Sequence, residues 1–357
     1  MQLALEHVRR RTLLSDLGII FRTFAAVLLV ARPRQARPTT GVPPIEPPGA
    51  TAERRPEIML LTGDLGFGVL NDFAARFPKQ FLNMGVAEQN MTGFAAGLAL
   101  EGHIVFTYSL GSFPTIRCLE QIRNDVCYHQ ANVKIVTVGG GMAYGAVGPS
   151  HHATEDLAIL RSLPNMMVVS PGDHWEVGEA TRVLVDRPGP AYLRLDKSAA
   201  PPSHQPGDRF RLGEARMIRD GADLTLVATG GILEEAVRAA DLLEGCGVSC
   251  RVLSMHTVKP LDTEALSAAA RETCGMVVIE EHTVDGGLGG AVAENLLELG
   301  VPPAFFLRIG LRSCFSSTVG SQHYLRKVYG LDAQAIVDAV LARRCGHRET
   351  ETAKAAL

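Results

Sequence analysis

The chain has few of the residues that mark secreted or zinc-binding proteins. Its seven cysteines are odd in number and scattered, and no two form a Cys-x-x-Cys pair. This excludes a disulfide framework and a zinc site of the usual spacing, and it is typical of a reducing cytoplasm, which is the location we expect. The cysteines are Cys118, Cys127, Cys246, Cys250, Cys274, Cys314 and Cys345.

Long apolar runs and dense charge are also missing. The chain has no run of about 18 apolar residues, so we predict no membrane span. The best candidate, 17–30, is interrupted by Arg22 and is not followed by a signal-peptide cleavage site. Aromatic residues make up only 6% of the chain and the net charge is −3. With no basic stripe among the aromatics, a nucleic-acid platform is not expected.

What the chain does have is a regular alternation of short apolar runs and helical patterns from residue 57 onward. At 357 residues, it is long enough for two domains. The pattern predicts an α/β fold of two doubly wound domains with mainly parallel sheets. The domains are expected at 57–199 and 214–344, joined by a proline-containing linker at 200–213.

The two ends of the chain differ from this pattern. Residues 1–56 read as a helical amino-terminal segment followed by a proline-rich insertion, with six prolines between Pro33 and Pro48. Proline at that density excludes helix and central strand. Residues 345–357 are polar and small, which predicts a flexible tail.

Four loops are expected at the carboxyl edge of the first sheet, where open α/β sheets bind ligands. They lie at 63–68, 85–88, 108–113 and 139–152, and together they offer a carboxylate, aromatic rings and two adjacent histidines. Packing alone does not require so many polar groups at one place, so these loops are the candidate binding site. The glycines of 63–68 do not follow the dinucleotide fingerprint, and Asp64 within them fits a helix cap as well as a ligand.

Glu88 stands just before an apolar helix predicted at 91–100. Glutamate is rarely buried without a partner. Two alternatives stay open on the local pattern. Glu88 is either an exposed first-turn acid that the helix dipole favours or a buried carboxylate with a ligand.

An ordered set of motifs resembles the carboxyl-terminal half of transketolase over roughly residues 56–340. The resemblance implies a pyrimidine-binding domain followed by the transketolase carboxyl-terminal domain. It also implies thiamine diphosphate as cofactor and transfer of a two-carbon ketol unit from a ketose to an aldose. The motifs are Gly-Val-Ala-Glu-Gln-Asn at 85–90, Gly-Pro-Ser-His-His-Ala-Thr-Glu-Asp at 148–156, Lys-Pro-Leu-Asp at 259–262, Glu-Glu-His at 280–282 and Gly-Gly-Leu-Gly-Gly at 286–290.

The same resemblance implies a cofactor site. Glu88 matches the catalytic glutamate that hydrogen-bonds the aminopyrimidine ring, a role that needs a desolvated carboxylate. Phe113 is the expected stacking aromatic, with Tyr108 as second choice. Asp64 and Gly66 complete the expected cofactor-binding set.

Substrate binding is implied for a second set of residues. His151 matches the histidine of a Gly-Pro-Thr-His motif that reaches substrate oxygens, and we count it as catalytic as well. His152, Arg194 and Lys197 complete the set. Lys197 stands where the family often has a phosphate-binding arginine, and lysine lacks the two-pronged guanidinium that binds a phosphate through two hydrogen bonds. The expected substrate is a sugar or a sugar phosphate. The alternative for Lys197 is a solvated residue at the end of a strand.

The family's Gly-Asp-Gly motif does not occur in the chain. The resemblance therefore implies a split transketolase, in which an amino-terminal subunit supplies the diphosphate-binding domain and ligates Mg²⁺ in an α2β2 assembly. No metal ligand is expected in this chain, and no nucleic acid or membrane partner. The alternatives are the β subunit of a 2-oxoacid dehydrogenase, a deoxyxylulose-phosphate-synthase-like enzyme, or a non-catalytic scaffold.

Overall fold

The computed structural model describes residues 51–198, 200, 201, 204 and 207–343. The predicted segment up to residue 50, the predicted tail at 345–357 and part of the predicted linker lie outside the described residues. Residues 51–54 of the predicted amino-terminal segment form a single helical turn, α1 (Thr51–Arg54).

The first domain alternates strands and helices. Its main strands are buried along their whole length, as expected for continuous apolar runs in a sheet covered on both faces. In chain order the elements are β1 (Ile58–Thr62), α2 (Asn71–Arg76), β2 (Phe81–Asn83), α3 (Glu88–Leu100), β3 (Ile104–Leu110), α4 (Leu119–Gln121) continued by a π-helix (Ile122–Tyr128), β4 (Val133–Val138), a 3₁₀ turn (Pro149–His151), α5 (Asp156–Ser162), β5 (Met167–Val169), α6 (His174–Asp186) and β6 (Ala191–Leu195).

The second domain repeats the alternation. Its elements are β7 (Arg216–Arg219), β8 (Leu224–Thr229), a 3₁₀ turn (Gly230–Ile232), α7 (Leu233–Gly245), β9 (Cys250–Ser254), β10 (Thr257–Lys259), α8 (Thr263–Glu272), β11 (Met276–Thr283), α9 (Leu288–Glu298), β12 (Phe306–Leu311), α10 (Gln322–Val328) and α11 (333–343).

The strands form two sheets. The first has seven strands in the order β10-β5-β6-β4-β3-β1-β2, and the second has five in the order β12-β11-β8-β9-β7. The β10–β5 and β7–β9 pairs are antiparallel, and the remaining pairs are parallel. The predicted fold class, two α/β domains with mainly parallel sheets, is confirmed.

Three strands escape the sequence prediction. β2, β7 and β10 are three or four residues long, and β2 and β7 are partly exposed, so they carry no continuous apolar run. The segment before and within α4 is also irregular. Residues 114–118 form turns, the helix begins at Leu119, and it continues as a π-helix.

The hydrophobic core does not stop at the domain boundary. One apolar cluster contains Val168 of β5 and Val258 of β10 together with Leu253 of β9 and Met276 of β11. Strand β10 belongs to the second domain in sequence and to the first sheet in space. Within the described part of the chain, none of the helices has the length and apolarity needed to cross a membrane.

Candidate active site

Glu88 begins α3 with its carboxylate buried. The turn before the helix passes through Gly85, whose φ of +69° suits glycine better than other residues. The Glu88 side chain is only 1% exposed. Of the two alternatives drawn from the sequence, the structure therefore supports the buried carboxylate, which needs a partner.

The partner is Arg117. Its Nη1 donates to Oε2 of Glu88 at 2.7 Å, and the Ser109 hydroxyl lies at 3.5 Å from the other carboxylate oxygen. Arg117 was not predicted from the sequence. Residues 113–118 form turns, so helical spacing gives no signal for this residue.

Phe113 and His151 are linked to this pair by ring contacts. The Arg117 guanidinium carbon lies 4.7 Å from the centroid of the Phe113 ring, a cation–π distance. The His151 ring meets the same phenyl ring edge-on, with 5.3 Å between centroids. Three loops that were predicted to converge at the sheet edge thus contribute Glu88, Phe113 and His151 to one connected group.

Tyr108, the second-choice stacking residue, lies elsewhere. It is a core residue of β3, 2% exposed, and burial raises the pKa of its hydroxyl. Its ring edge runs past Gly66, where an added Cβ would lie 3.3 Å from Tyr108 Cε1. We therefore drop Tyr108 from the proposed stacking role and keep the half-buried Phe113.

The first glycine loop contains residues in the left-handed region of backbone conformation, which glycine and, less often, aspartate adopt. Asp64 has a φ of +58° and Gly66 a φ of +86°, and Asn83 holds Asp64 through its amide, Nδ2 to Oδ1 at 3.0 Å. Asp64 does not cap α2, which is preceded by Leu70 without a side-chain cap. Asp64 and Gly66 remain proposed cofactor-loop residues.

The two histidines have different surroundings. His151 is half-buried, with Nδ1 2.9 Å from the Ser150 hydroxyl. His152 is 4% exposed, and its buried Nε2 has no hydrogen-bond partner among the described residues. Burial, and then the neighbouring His151, lower the pKa of His152, so its imidazole is neutral at physiological pH.

Arg194 does not suit the substrate role proposed from the sequence. Its side chain is 1% exposed and pairs with Asp156, Nε to Oδ2 at 2.9 Å. Its Nη2 donates to the carbonyls of Ala153 and Glu281 at 2.8 and 3.0 Å. A guanidinium held this way acts as an internal brace, and we withdraw it from the substrate-binding set.

Lys197 lies close to the histidine loop. Its Nζ stands 3.9 Å from the centroid of the Tyr144 ring, and Tyr144 belongs to loop 139–152. Lys197 therefore has an aromatic neighbour as well as solvent around it, which the alternative of a fully solvated lysine does not include. No cluster of three or more potential metal ligands occurs among the described residues.

Comparison with protein-family models matches both halves of the chain. Residues 49–202 match the pyrimidine-binding domain of transketolase. Residues 213–336 match the transketolase C-terminal domain.

Individual relatives cover most of the chain. An apulose-4-phosphate transketolase subunit from Phocaeicola vulgatus is 40% identical over 81% of this chain and 92% of its own length. The 6-deoxy-6-sulfo-D-fructose transketolase subunit of Clostridium sp. (strain MSTE9) is 38% identical over 84% of this chain and 91% of its own length.

A solved structure extends the likeness to three dimensions. It is a split-gene transketolase described as an inactive β4 tetramer, 36% identical, with a TM-score of 0.77 over 90% of this chain and 97% of its own. With two family models and relatives matched over nine-tenths of their length, the chain belongs to the transketolase family, and its two domains are those of the carboxyl-terminal chain of a split transketolase.

Proposed function

We propose that this chain is one subunit of a two-chain transketolase, which transfers a two-carbon ketol unit from a ketose to an aldose. The observation that carries the proposal is the buried Glu88 carboxylate at the sheet edge, joined through Arg117 to the half-buried Phe113 and to His151. The family implies dependence on thiamine diphosphate, which when bound would supply the nucleophilic carbon for ketol transfer.

The residues fit the aminopyrimidine of that cofactor. Oε1 of Glu88 has its hydroxyl neighbour only at the limit of hydrogen bonding, 3.5 Å, so it can accept from a protonated ring nitrogen. A carboxylate shielded from water is a strong acceptor for such an N–H donor. Phe113 offers a half-buried aromatic face for stacking.

Substrate recognition falls to the histidine loop in this proposal. Nδ1 of His151 is engaged by Ser150, and in this proposal Nε2 is the nitrogen that binds the substrate oxygens. The buried Nε2 of His152 and the Lys197 ammonium complete the set. A single ammonium is a point charge without a fork, which favours a sugar with at most one phosphate near Lys197.

A partner chain completes the site. We propose that an amino-terminal subunit with a Gly-Asp-Gly motif binds the diphosphate and ligates Mg²⁺, and that the natural assembly is α2β2. Two observations support this. The motif is missing from the sequence, and the related solved chain is described as inactive in its β4 form.

Reconstitution tests the proposal. The isolated chain, the partner and their mixture are assayed with thiamine diphosphate, Mg²⁺ and a panel of ketose donors and aldose acceptors. Ketol transfer is expected only in the mixture. Transfer by the isolated chain would contradict the need for a partner, and decarboxylation of pyruvate in place of transfer would favour the 2-oxoacid alternatives.

A further inference from the structure

The loop at 139–152, which presents His151, is fastened by the second domain. The Met142 N–H donates to Oε1 of Glu281, on β11, at 2.6 Å. The Gly320 N–H donates to the Gly145 carbonyl at 3.2 Å. Met142 itself is fully buried in the apolar core of the second domain. The loop is therefore packed into a domain to which it does not belong in sequence.

Two glycines permit this close approach. A Cβ at Gly141 would lie 2.6 Å from Oε1 of Glu281, and one at Gly145 would lie 2.4 Å from Cδ1 of Leu325. Gly141 also exchanges both backbone hydrogen bonds with Ala153, each at 2.9 Å. Because Ala153 directly follows the two histidines, whatever fixes Gly141 also fixes the histidine end of the loop.

Glu281 is the centre of a polar group of three buried and two half-buried residues, which we call the Glu281 cluster: Glu281, Arg326 and Asp196, with Gln322 and Ser198. The side chains of Glu281 and Arg326 are 1% and 2% exposed, with Nε donating to Oε2 at 2.5 Å. Gln322 Nε2 lies 3.0 and 3.1 Å from the two Glu281 carboxylate oxygens. A buried charge held by so many donors has one preferred position.

The cluster also reaches the segment that carries Lys197. Gln322 donates to Oδ1 of Asp196 at 2.8 Å, and Arg326 donates to the Ser198 hydroxyl at 2.5 Å. These two contacts bracket Lys197 in the sequence. The histidine loop and the lysine segment therefore share one anchor, which the second domain supplies.

We propose that Glu281 is a positioning residue, which sets the position and orientation of His151 relative to the substrate by accepting a hydrogen bond from the Met142 amide. Glu281 does not touch the substrate itself. The proposal rests on the proposed function only in the role it gives to His151. It assigns to the second domain a direct part in shaping the substrate site.

Hydrogen–deuterium exchange of the isolated full chain is the first test. Glu281→Gln keeps the shape and removes the charge, and Gln322→Ala is a milder variant if the first fails to fold. Lys327→Ala, exposed on the same helix, is the matched control. We expect amides of 139–153 to exchange at least about tenfold faster in either cluster variant, while α3 and the control stay unchanged. Unchanged loop exchange, or equally faster exchange throughout the chain, overturns the proposal.

The second test uses the reconstituted two-chain enzyme. Glu281→Gln is expected to raise the KM of the ketose about tenfold, with a smaller loss of kcat, and to have no further effect in a His151→Ala background. An equal effect with and without His151 would refute positioning. If the mixture shows no ketol transfer at all, the proposed function fails, whereas the exchange test still decides the role of Glu281.

Discussion

At the scale of single residues, Glu88 and Arg117 form an unequal pair. The carboxylate is 1% exposed and the guanidinium side chain is 46% exposed. An isolated carboxylate would be expensive at this depth, so Arg117 makes its burial possible. Because the Arg117 side chain is exposed to water, it can move when a ligand binds the Glu88 carboxylate. The buried Arg194, held by Asp156 and two carbonyls, has no such freedom.

Glu88→Gln tests the role of the carboxylate without changing its shape. We expect proton exchange at the thiazolium carbon of the reconstituted enzyme to fall by about 10²–10⁴-fold, the range for a lost acid–base group. Proton NMR of the cofactor in deuterated buffer measures the rate. Glu101→Gln, exposed at the end of the same helix, should exchange normally. Normal exchange in Glu88→Gln would remove Glu88 from catalysis.

His256 makes stability depend on pH. Burial, and then the positive charge of Arg216, lower the pKa of His256 from 6.5 to about 4. The unfolded chain therefore binds more protons between these values. The stabilisation is complete above about pH 6.5 and is lost as the pH falls toward about 4, with a slope of up to about 1.4 kcal/mol per pH unit.

Urea unfolding at several pH values measures this slope. His256→Gln should flatten the difference between pH 6.5 and pH 4, whereas His129→Gln, which changes an exposed histidine, should leave the profile as it is. If the His256→Gln and unaltered chains keep parallel profiles, His256 is not the group responsible.

At the scale of elements, α3 joins the site to the sheet and carries a weak point in its own backbone. Gly97 lies inside this helix, is exposed, and has open space where a Cβ would stand. Glycine within a helix costs about 0.5–1 kcal/mol relative to alanine. The loop glycines differ, since Gly145 has no room for a side chain.

Gly97→Ala is therefore expected to stabilise the isolated chain by about 0.5–1 kcal/mol. Gly145→Ala should destabilise it by about 1–3 kcal/mol, because the new methyl group would overlap Leu325 and the Gly320 carbonyl. Chemical denaturation of both variants measures the difference. Equal effects of the two substitutions would contradict this account of the glycines.

Long buried elements could be predicted from the sequence, because their apolar runs are strong and local. β1, β3, β4 and α3 lie within the alternation of apolar runs and helical patterns that begins at residue 57. Strand β10 could not be predicted, since its three residues depend on a partner strand about ninety positions earlier. The site residues also fall into a set that could be predicted from the sequence and a set that could not. Glu88 carries a local motif, whereas its contact with Arg117 and the burial of Arg194 arise only when distant segments pack.

At the scale of the whole molecule, the two domains share a core and a strand. Chains of two domains often unfold in steps. Here one apolar cluster spans both domains, and the Glu281 cluster ties the segment that follows β6 to β11 and α10. These shared contacts favour cooperative unfolding of the described chain as a unit.

A single tryptophan makes this easy to test. Trp175 lies on α6 of the first domain, with its ring 6.2 Å from that of Phe210 and 5.1 Å from the guanidinium carbon of Arg216 on β7, so its fluorescence follows the first domain and its contact with the second. Far-UV circular dichroism follows both. We expect the two signals to change at the same urea concentration. Separate midpoints would mean that the domains unfold independently.

Strand β10 also covers what would otherwise be an exposed edge of the first sheet. It covers β5, a three-residue strand, Met167–Val169, whose residues are all buried and apolar. A chain that ended before residue 257 would leave β5 as a bare edge with unpaired backbone groups, the usual template for intermolecular pairing and aggregation. The first domain thus depends for its solubility on a strand that is synthesised some sixty residues after its last sequential element.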